Sequence, residues 1–124
     1  MNVHHEINYI EISATNVNDA KDFYGAAFGW KFNDYGPDYV GIRKMQADGE
    51  CGGICRSEVI AKGGPLVILY SEDLEASYHS VIKAGGVITA EIMSFPGGRR
   101  FHFSDPSGNE LGVWSDQPSS SSKP

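Results

Sequence analysis

An internal repeat restricts the fold of this chain more than any other feature of its sequence. Related residues recur at a constant spacing of 57 positions. The pairs are Val17 and Leu74, Gly29 and Gly86, Asp48 and Asp105, and Ile54 and Leu111. A repeat of this length is typical of two copies of one supersecondary unit, which pack together because neither copy buries its apolar residues alone.

Each copy of the repeat has the pattern of a strand, a helix and three strands. Residues 6–14 alternate between apolar and polar, and apolar residues then recur at helical spacing from Val17 until Gly29 ends the helix. Thr15 or Asn16 is placed to cap this helix. The other predicted elements are short strands at 30–32, 39–45 and 51–57, then a strand at 66–71, a helix at about 73–84 and three strands that end by residue 115.

This pattern predicts an α+β fold of two tandem βαβββ modules, at about 5–58 and 64–115. Because side chains alternate across a strand, the helices are expected to cover one face of each module. The modules then form a curled mixed sheet around a central cleft, with the helices on the outer face. We expect a single domain over residues 1–116 and a disordered Ser/Pro tail at 117–124.

Charge and composition disfavour several classes of partner. The net charge is −6 and the ten Lys and Arg residues are scattered, which argues against nucleic acid and anionic membranes as partners. No segment approaches the roughly 18 apolar residues of a membrane span and no signal peptide precedes the first strand, so we expect a cytoplasmic protein. Cys51 and Cys55 lie four residues apart, about 13 Å in a strand, and are expected to be free thiols.

The strand face opposite the helices is expected to line the cleft, which is the usual place for a small-molecule site. Alternation places residues of four strands on this face. They are Tyr9, Glu11 and Ser13; Gly53, Cys55 and Ser57; Leu66, Ile68 and Tyr70; and Glu110, Gly112 and Trp114. His102 joins them if Phe101 and Phe103 face the helices.

Gly112 lies at the centre of the last predicted strand, ELGVW, where a glycine weakens packing. Such a glycine marks either a bulge or a place where another group comes close to the backbone. Both interpretations stay open at this point, and alternation places Gly112 on the cleft face.

The two tandem modules, with NVNDAKDFYGAAFGW in the first and DLEASYHSVIKAGG and FSDPSGNELGVW in the second, resemble the vicinal oxygen chelate superfamily. That superfamily includes glyoxalase I, extradiol dioxygenases and the bleomycin resistance proteins. The resemblance covers residues of about 5–115. It implies the fold shared by glyoxalase, bleomycin resistance protein and dihydroxybiphenyl dioxygenase, and it implies a homodimer.

The resemblance also implies where a metal would lie. In metal-dependent members, the first and last strands of each module supply His, Gln or Glu ligands to one divalent ion. The corresponding positions of this chain are Tyr9, Cys55, Leu66 and Gly112. Leu and Gly offer no donor side chain, and only the cysteine is a good ligand. We therefore expect no cofactor and a metal-free cleft.

A relocated divalent ion is the alternative to a metal-free cleft. Glu11 and Glu110 are expected to point into the cleft, and with His102 they would offer two carboxylates and an imidazole. No spacing motif supports this set. The competing interpretation is that the two glutamates are solvated and that His102 hydrogen-bonds to the backbone.

The first functional hypothesis is metal-independent binding of an aromatic or cationic small molecule, as in the bleomycin resistance branch. Aromatic rings and carboxylates both attract positive charge, and small residues leave room for a ligand. The candidate ligand-binding residues are Tyr9, Glu11, Cys55, Leu66, Tyr70, Arg100, His102, Glu110, Gly112 and Trp114.

Two further hypotheses differ in chemistry. One is a glyoxalase-like lyase or isomerase acting on a thiol-conjugated carbonyl compound, with Glu110 or Glu11 as general base and with a metal, or His102 and Arg100, polarising the carbonyl. The other is a regulatory or interaction domain without small-molecule chemistry, whose cleft would be filled by its own side chains. Metal analysis and ligand screening separate the three.

Overall fold

The structure is a computed structural model that describes residues 2–60, 63 and 65–119. The first module consists of β1 (Ile10–Ala14), α1 (Val17–Phe28), β2 (Phe32–Asp34), β3 (Tyr39–Arg43) and β4 (Glu50–Arg56). The second consists of β5 (Ile68–Tyr70), α2 (Leu74–Lys83), β6 (Val87–Phe95), β7 (Gly98–Ser104) and β8 (Glu110–Ser115). Residues 120–124 of the predicted disordered tail lie outside the described residues.

The strands form two four-stranded sheets, and the two modules have the same topology. The first sheet has the order β1-β4-β3-β2 and the second the order β5-β8-β7-β6. In each sheet the first strand of the module runs parallel to the last, and all other neighbours are antiparallel. Two mixed sheets with two helices confirm the predicted α+β class and the repeated βαβββ order.

Three strands begin later than the sequence pattern predicts. β2 begins at Phe32, where its predicted range of 30–32 ends. Pairing of β1 with β4 starts at Ile10 opposite Gly52, and pairing of β5 with β8 starts at Ile68 opposite Gly112. Tyr9 and Leu66 therefore precede the paired segments. The alternation of apolar and polar residues extends beyond the paired region. The end of a strand is set by hydrogen bonding to its neighbour, which alternation does not reveal.

Both helices begin at a side-chain cap. The Asn16 side chain accepts a hydrogen bond from the Asp19 backbone N–H at 2.9 Å, and Asp73 accepts one from Ala76 at 3.1 Å. α1 ends at Gly29, whose φ of 73° is in the left-handed region that glycine adopts without strain. These helices have 12 and 10 residues, and within the described chain no helix is long and apolar enough to cross a membrane.

One hydrophobic core joins the two modules on the helix side of the sheets. The Phe23 and Phe28 rings of α1 lie 5.9 and 5.7 Å from the ring of Phe103 on β7. α1 and α2 also contact each other. Gly86, after α2, permits this contact, because a Cβ there would lie 2.7 Å from Val81 and 3.0 Å from Phe23.

The turn between β7 and β8 connects the second module to the first through hydrogen bonds. Asp105 is buried and its carboxylate accepts a hydrogen bond from the Tyr24 hydroxyl of α1 at 2.8 Å. The Asn109 side chain donates to the backbone carbonyl of Ser13, and the Thr15 N–H donates to the Ser107 hydroxyl at 3.0 Å. Burial and the neighbouring Asp105 carboxylate raise the pKa of Tyr24, so its hydroxyl stays protonated and donates.

Candidate functional site

A cavity of about 510 Å³ lies between β1 of the first sheet and the open face of the second sheet. Its polar lining brings together residues from both modules. They are Glu11 and Ser13 from β1, Thr89 from β6, His102 and Ser104 from β7, Asn109 from the turn and Glu110 from β8. Leu66 supplies part of the apolar wall. Within the described chain, no Lys or Arg lines this cavity, so its charge comes from carboxylates.

Glu110 and His102 form a pair on adjacent strands. His102 Nδ1 lies 3.5 Å from Glu110 Oε2, and the Thr89 hydroxyl donates a hydrogen bond to the same carboxylate oxygen at 2.9 Å. Phe101 and Phe103 are fully buried on the helix side. This meets the condition under which His102 was expected to join the cleft face, and alternation turns its side chain to the open face of the sheet.

Gly112 lies directly beneath the His102 ring. A Cβ built on Gly112 would meet His102 Cδ2 at 3.2 Å and Ile68 Cγ1 at 3.5 Å. β8 pairs regularly through this position with β5 and β7, so the bulge interpretation is wrong. The glycine marks the close approach of an imidazole instead. His102 Nε2 is buried and has no hydrogen-bond partner among the described residues.

The first sheet carries a group of polar residues on its open face, of which only Tyr9 and Glu11 were predicted site residues. We call it the tyrosine–carboxylate cluster, and its members are Tyr9, Glu11, Asn33, Tyr35, Tyr39 and Glu50. Tyr39 donates to Glu11 at 3.0 Å and shares a hydrogen bond with the Tyr9 hydroxyl at 2.5 Å. Tyr35 and Asn33 donate to the same oxygen of Glu50, at 2.5 and 2.9 Å. Glu11 belongs to both this cluster and the cavity.

These hydrogen bonds change the protonation of the cluster. The Tyr35 hydroxyl, with Asn33 adding to it, lowers the pKa of Glu50, and the same contact raises the pKa of Tyr35. Burial first, then the hydrogen bonds to Tyr9 and Glu11, raise the pKa of Tyr39. At neutral pH the Glu50 carboxylate of the cluster is therefore ionised, and the Tyr35 and Tyr39 hydroxyls are protonated.

The other predicted site residues lie elsewhere on the sheets. The Tyr70 and Trp114 rings are 5.3 Å apart, Trp114 lies 6.4 Å from the Phe95 ring, and the Arg100 guanidinium lies over Phe95 at 5.6 Å. None of Tyr70, Arg100 and Trp114 lines the 510 Å³ cavity. Tyr70 lines a second cavity of about 470 Å³ together with Phe28, Trp30, Met45 and Ile68.

The cysteines are free thiols, as predicted. Cys51 is exposed, and the Cys55 thiol donates to the Arg56 carbonyl at 3.6 Å. Cys55 is not a lining residue of either cavity.

A family model described as the Glyoxalase/Bleomycin resistance protein/Dioxygenase superfamily matches residues 6–113. The chain belongs to this superfamily. A glyoxylase-like domain-containing protein of Didymella fabae is 35% identical over 101 residues, which cover 76% of this chain and 79% of that protein. These matches confirm the resemblance read from the two modules.

Solved structures of the glyoxalase superfamily share the fold. A glyoxalase/bleomycin resistance protein/dioxygenase family enzyme from Burkholderia phytofirmans has a TM-score of 0.76 at 15% identity, over 90% of this chain and 99% of that chain. A glyoxalase-related enzyme from Fulvimarina pelagi has a TM-score of 0.74 at 17% identity, over 90% of this chain and 88% of that chain. At such identities the likeness concerns the fold alone.

Of the four residues at the positions that the resemblance assigns to metal ligands, three do not fit a metal ion, and Cys55 alone is a good ligand. Gly112 has no side chain, and the His102 ring fills the space above it. Leu66 offers no donor, and the Tyr9 hydroxyl is bonded to Tyr39. Over residues 2–60, 63 and 65–119, no group of three or more His, Cys, Asp or Glu side chains is placed to hold a metal.

Proposed function

We propose that this protein binds a small organic cation in the 510 Å³ cavity and that binding needs no metal ion. One observation carries the proposal: the described lining brings together two carboxylates, Glu11 and Glu110, without a Lys or Arg. The volume falls in the range of about 300–1,000 Å³ that is typical of small-molecule pockets. A cation entering the cavity would meet charges of opposite sign, and the carboxylates would form charge-assisted hydrogen bonds with an ammonium or amidinium group.

The proposal of an organic cation rests on the carboxylates of the cavity and not on stacking of the ligand on aromatic rings. Alternation predicts that Tyr9, Tyr70 and Trp114 face the ligand, but in the structure these rings lie outside the cavity lining. Leu66, Ile12 and Leu111 supply apolar contacts instead. We therefore infer a ligand with an apolar body and a positively charged or hydrogen-bond-donating end, for which aromatic character is optional.

A second candidate function is metal-free proton transfer by a glyoxalase-like lyase or isomerase. The contact between Glu110 and His102 favours it, because a carboxylate could take a proton from a carbon next to a carbonyl while the imidazole returns one to the neighbouring atom. Glu11 is the alternative base on the opposite wall. Arg100 gives this chemistry no support, since its guanidinium is positioned over Phe95 and not in the cavity lining.

The third hypothesis, a domain without small-molecule chemistry, requires a cleft filled by the protein's own side chains. The open volume argues against this requirement. A homodimer and a cytoplasmic location remain predictions. Analytical ultracentrifugation at several protein concentrations tests the first, and localisation of the tagged protein tests the second.

Ligand binding is tested by thermal shift against organic cations and neutral molecules of the same shape, with and without EDTA. We expect hits among the cations, unchanged by EDTA. Glu110→Gln is expected to weaken them about tenfold, the effect of losing one charge-assisted contact. Leu66→Trp is expected to block binding by filling the cavity. Glu58→Gln changes an exposed carboxylate outside the lining and is the matched control.

Two results would contradict metal-free cation binding. One is a ligand whose binding disappears with EDTA and returns with a divalent ion. The other is equal binding of cations and their neutral counterparts. Turnover of a glutathione hemithioacetal by metal-stripped protein, lost in both Glu110→Gln and His102→Gln, would favour the lyase instead.

A further inference from the structure

We propose that the tyrosine–carboxylate cluster on the first sheet is a second ligand site, which takes an alkylammonium group. The cluster is built by residues on and beside β1, β2, β3 and β4 and thus belongs to the first module. Tyr35, Tyr39 and Glu50 do not line the 510 Å³ cavity. The proposal goes beyond the cavity ligand, because the two sites share only Glu11.

The cluster is held in place before any ligand arrives. Tyr35 and Asn33 both donate to Glu50, and Tyr39 connects Tyr9 to Glu11. Such contacts fix the directions of two carboxylates and three rings. A ligand that binds here therefore loses little affinity to the ordering of protein side chains.

Two glycines of the sheet make this arrangement possible sterically. A Cβ on Gly41 would overlap the Glu50 carboxylate, and one on Gly53 would overlap the Tyr39 hydroxyl. Because both positions lack a side chain, the polar ends lie flat on the sheet. The Tyr35 and Tyr9 side chains remain accessible, with 61% and 40% of their surfaces exposed.

The negative charge of the cluster has no cationic partner in the described part of the chain. The ion pairs found among the described residues all involve carboxylates outside the cluster, namely Asp34, Glu58, Glu75 and Glu110. The hydrogen-bond donors to Glu11 and Glu50 are phenol and amide groups, none of which carries a positive charge. Hydrogen bonding by Tyr35 lowers the pKa of Glu50, so its charge persists below neutral pH.

Aromatic rings beside this charge favour an organic cation over a metal ion. The Tyr35 and Tyr39 ring centroids are 6.1 Å apart with 47° between the ring planes, and a cation is attracted within about 6 Å of a ring centroid. A metal ion gains little from phenol rings and needs several converging ligands. Within the described residues no such metal group exists. An alkylammonium group uses both the rings and the carboxylates.

Choline and its neutral isostere 3,3-dimethylbutan-1-ol test the site on the full chain, by NMR titration of the tyrosine ring signals. We expect saturable shifts of the Tyr35 and Tyr39 signals with choline. The isostere is expected to bind at least about tenfold more weakly, because it lacks the charge. Glu50→Gln and Tyr35→Leu are each expected to weaken choline binding about fivefold or more.

Glu91→Gln is the matched control. Glu91 is also an exposed carboxylate that accepts a hydrogen bond from a tyrosine, Tyr78, but it belongs to the second module. We expect this change to leave choline binding unaltered. Glu50→Gln keeps the hydrogen-bonding shape of the side chain, so the test does not depend on whether Tyr35→Leu folds.

The outcomes separate this site from the cavity. Choline binding that survives Leu66→Trp but not Glu50→Gln supports the cluster, whatever the cavity binds. Equal binding of choline and its isostere, or choline binding unaffected by Glu50→Gln, overturns the proposal and leaves the cavity proposal standing. Loss of choline binding in Leu66→Trp with no effect of Glu50→Gln assigns the cation to the cavity and also overturns it.

Discussion

The two modules have the same strand order but use their last turn differently. Asp48 and Asp105 occupy equivalent positions, 57 residues apart, before the final strand of each module. Asp48 is exposed, whereas Asp105 is buried and accepts hydrogen bonds from Tyr24, Ser107 and Asn109. The second turn is bonded to the first module through Tyr24, and its own Ser107 and Asn109 also donate to Asp105. The buried aspartate thus acquires its structural role both from the neighbouring module and from residues of its own turn.

The open faces of the two sheets diverge more than the helix sides. On the helix sides, the equivalent residues Ile54 and Leu111 are both buried, as are Val17 and Leu74. On the open faces, the first sheet carries phenols and carboxylates, and the second carries the His102–Glu110 pair. Packing requires apolar residues at the equivalent helix-side positions, while the open positions are free to differ and can specify ligands.

The largest effect is expected from removing the carboxylate of the second turn. Asp105→Ala leaves the buried Tyr24 hydroxyl and two backbone N–H groups without their partner, and we expect a loss of about 3 kcal/mol in the free energy of unfolding. Asp48→Ala is expected to change this free energy by less than about 0.5 kcal/mol. Urea denaturation of both variants gives the comparison. Equal losses would mean that the two turns are structurally equivalent.

The first turns of the two helices provide a second test. Glu75 on α2 pairs with Arg99, and the Ser119 hydroxyl donates to it at 3.0 Å, whereas the equivalent residue on α1 is the exposed Asn18. We expect Glu75→Gln to cost about 2 kcal/mol at pH 7, because Arg99 then keeps a charge without its carboxylate. Asn18→Ala is expected to cost less than about 0.5 kcal/mol.

The pKa of Glu75 determines how the loss of unfolding free energy in Glu75→Gln depends on pH. Hydrogen bonds from Arg99 lower that pKa from its ordinary value of 4.5 to about 2. The carboxylate therefore stabilises the fold fully above pH 4.5, and this contribution declines as the pH falls toward 2. Denaturation curves of the wild type and Glu75→Gln should approach each other over that range. A difference that stays constant down to pH 2 would assign the effect to packing.

The repeat and the alternation of apolar and polar residues predicted the element order and the faces of the strands. The spacing of 57 residues predicted the repeated element order. Alternation predicted that His102 faces away from Phe101 and Phe103, and the burial of both phenylalanines decides which face each takes. Alternation also placed Gly112 correctly. These features depend on neighbours along the chain, whose geometry is fixed by the strand itself.

The features that depend on distant contacts could not be predicted in the same way. Glu50 lies beside the register shift between Ile42 and Arg43, where alternation ceases to indicate the face, and Tyr35 is in the segment between β2 and β3. Alternation predicts the face on which Trp114 lies. It does not predict whether Trp114 reaches the cavity that Glu11 of the other sheet lines. The tyrosine residues on both sides of the GPD turn were the available signal for the cluster.

The smallest expected effect concerns the equivalent positions Cys55 and Gly112 on the last strands. Gly112→Ala places a methyl group 3.2 Å from the His102 ring, which must move by a few tenths of an ångström. We expect a loss of about 1 kcal/mol in the free energy of unfolding, altered NMR shifts of the His102 ring and weaker binding of cavity ligands. Cys55→Ala is the matched control, because it only shortens a side chain that lines neither cavity. If Gly112→Ala leaves the imidazole signals unchanged, close approach of His102 is not what the glycine permits. If the signals move and cavity binding weakens, the position that would hold a metal ligand in a metal-dependent relative instead positions an imidazole beside Glu110.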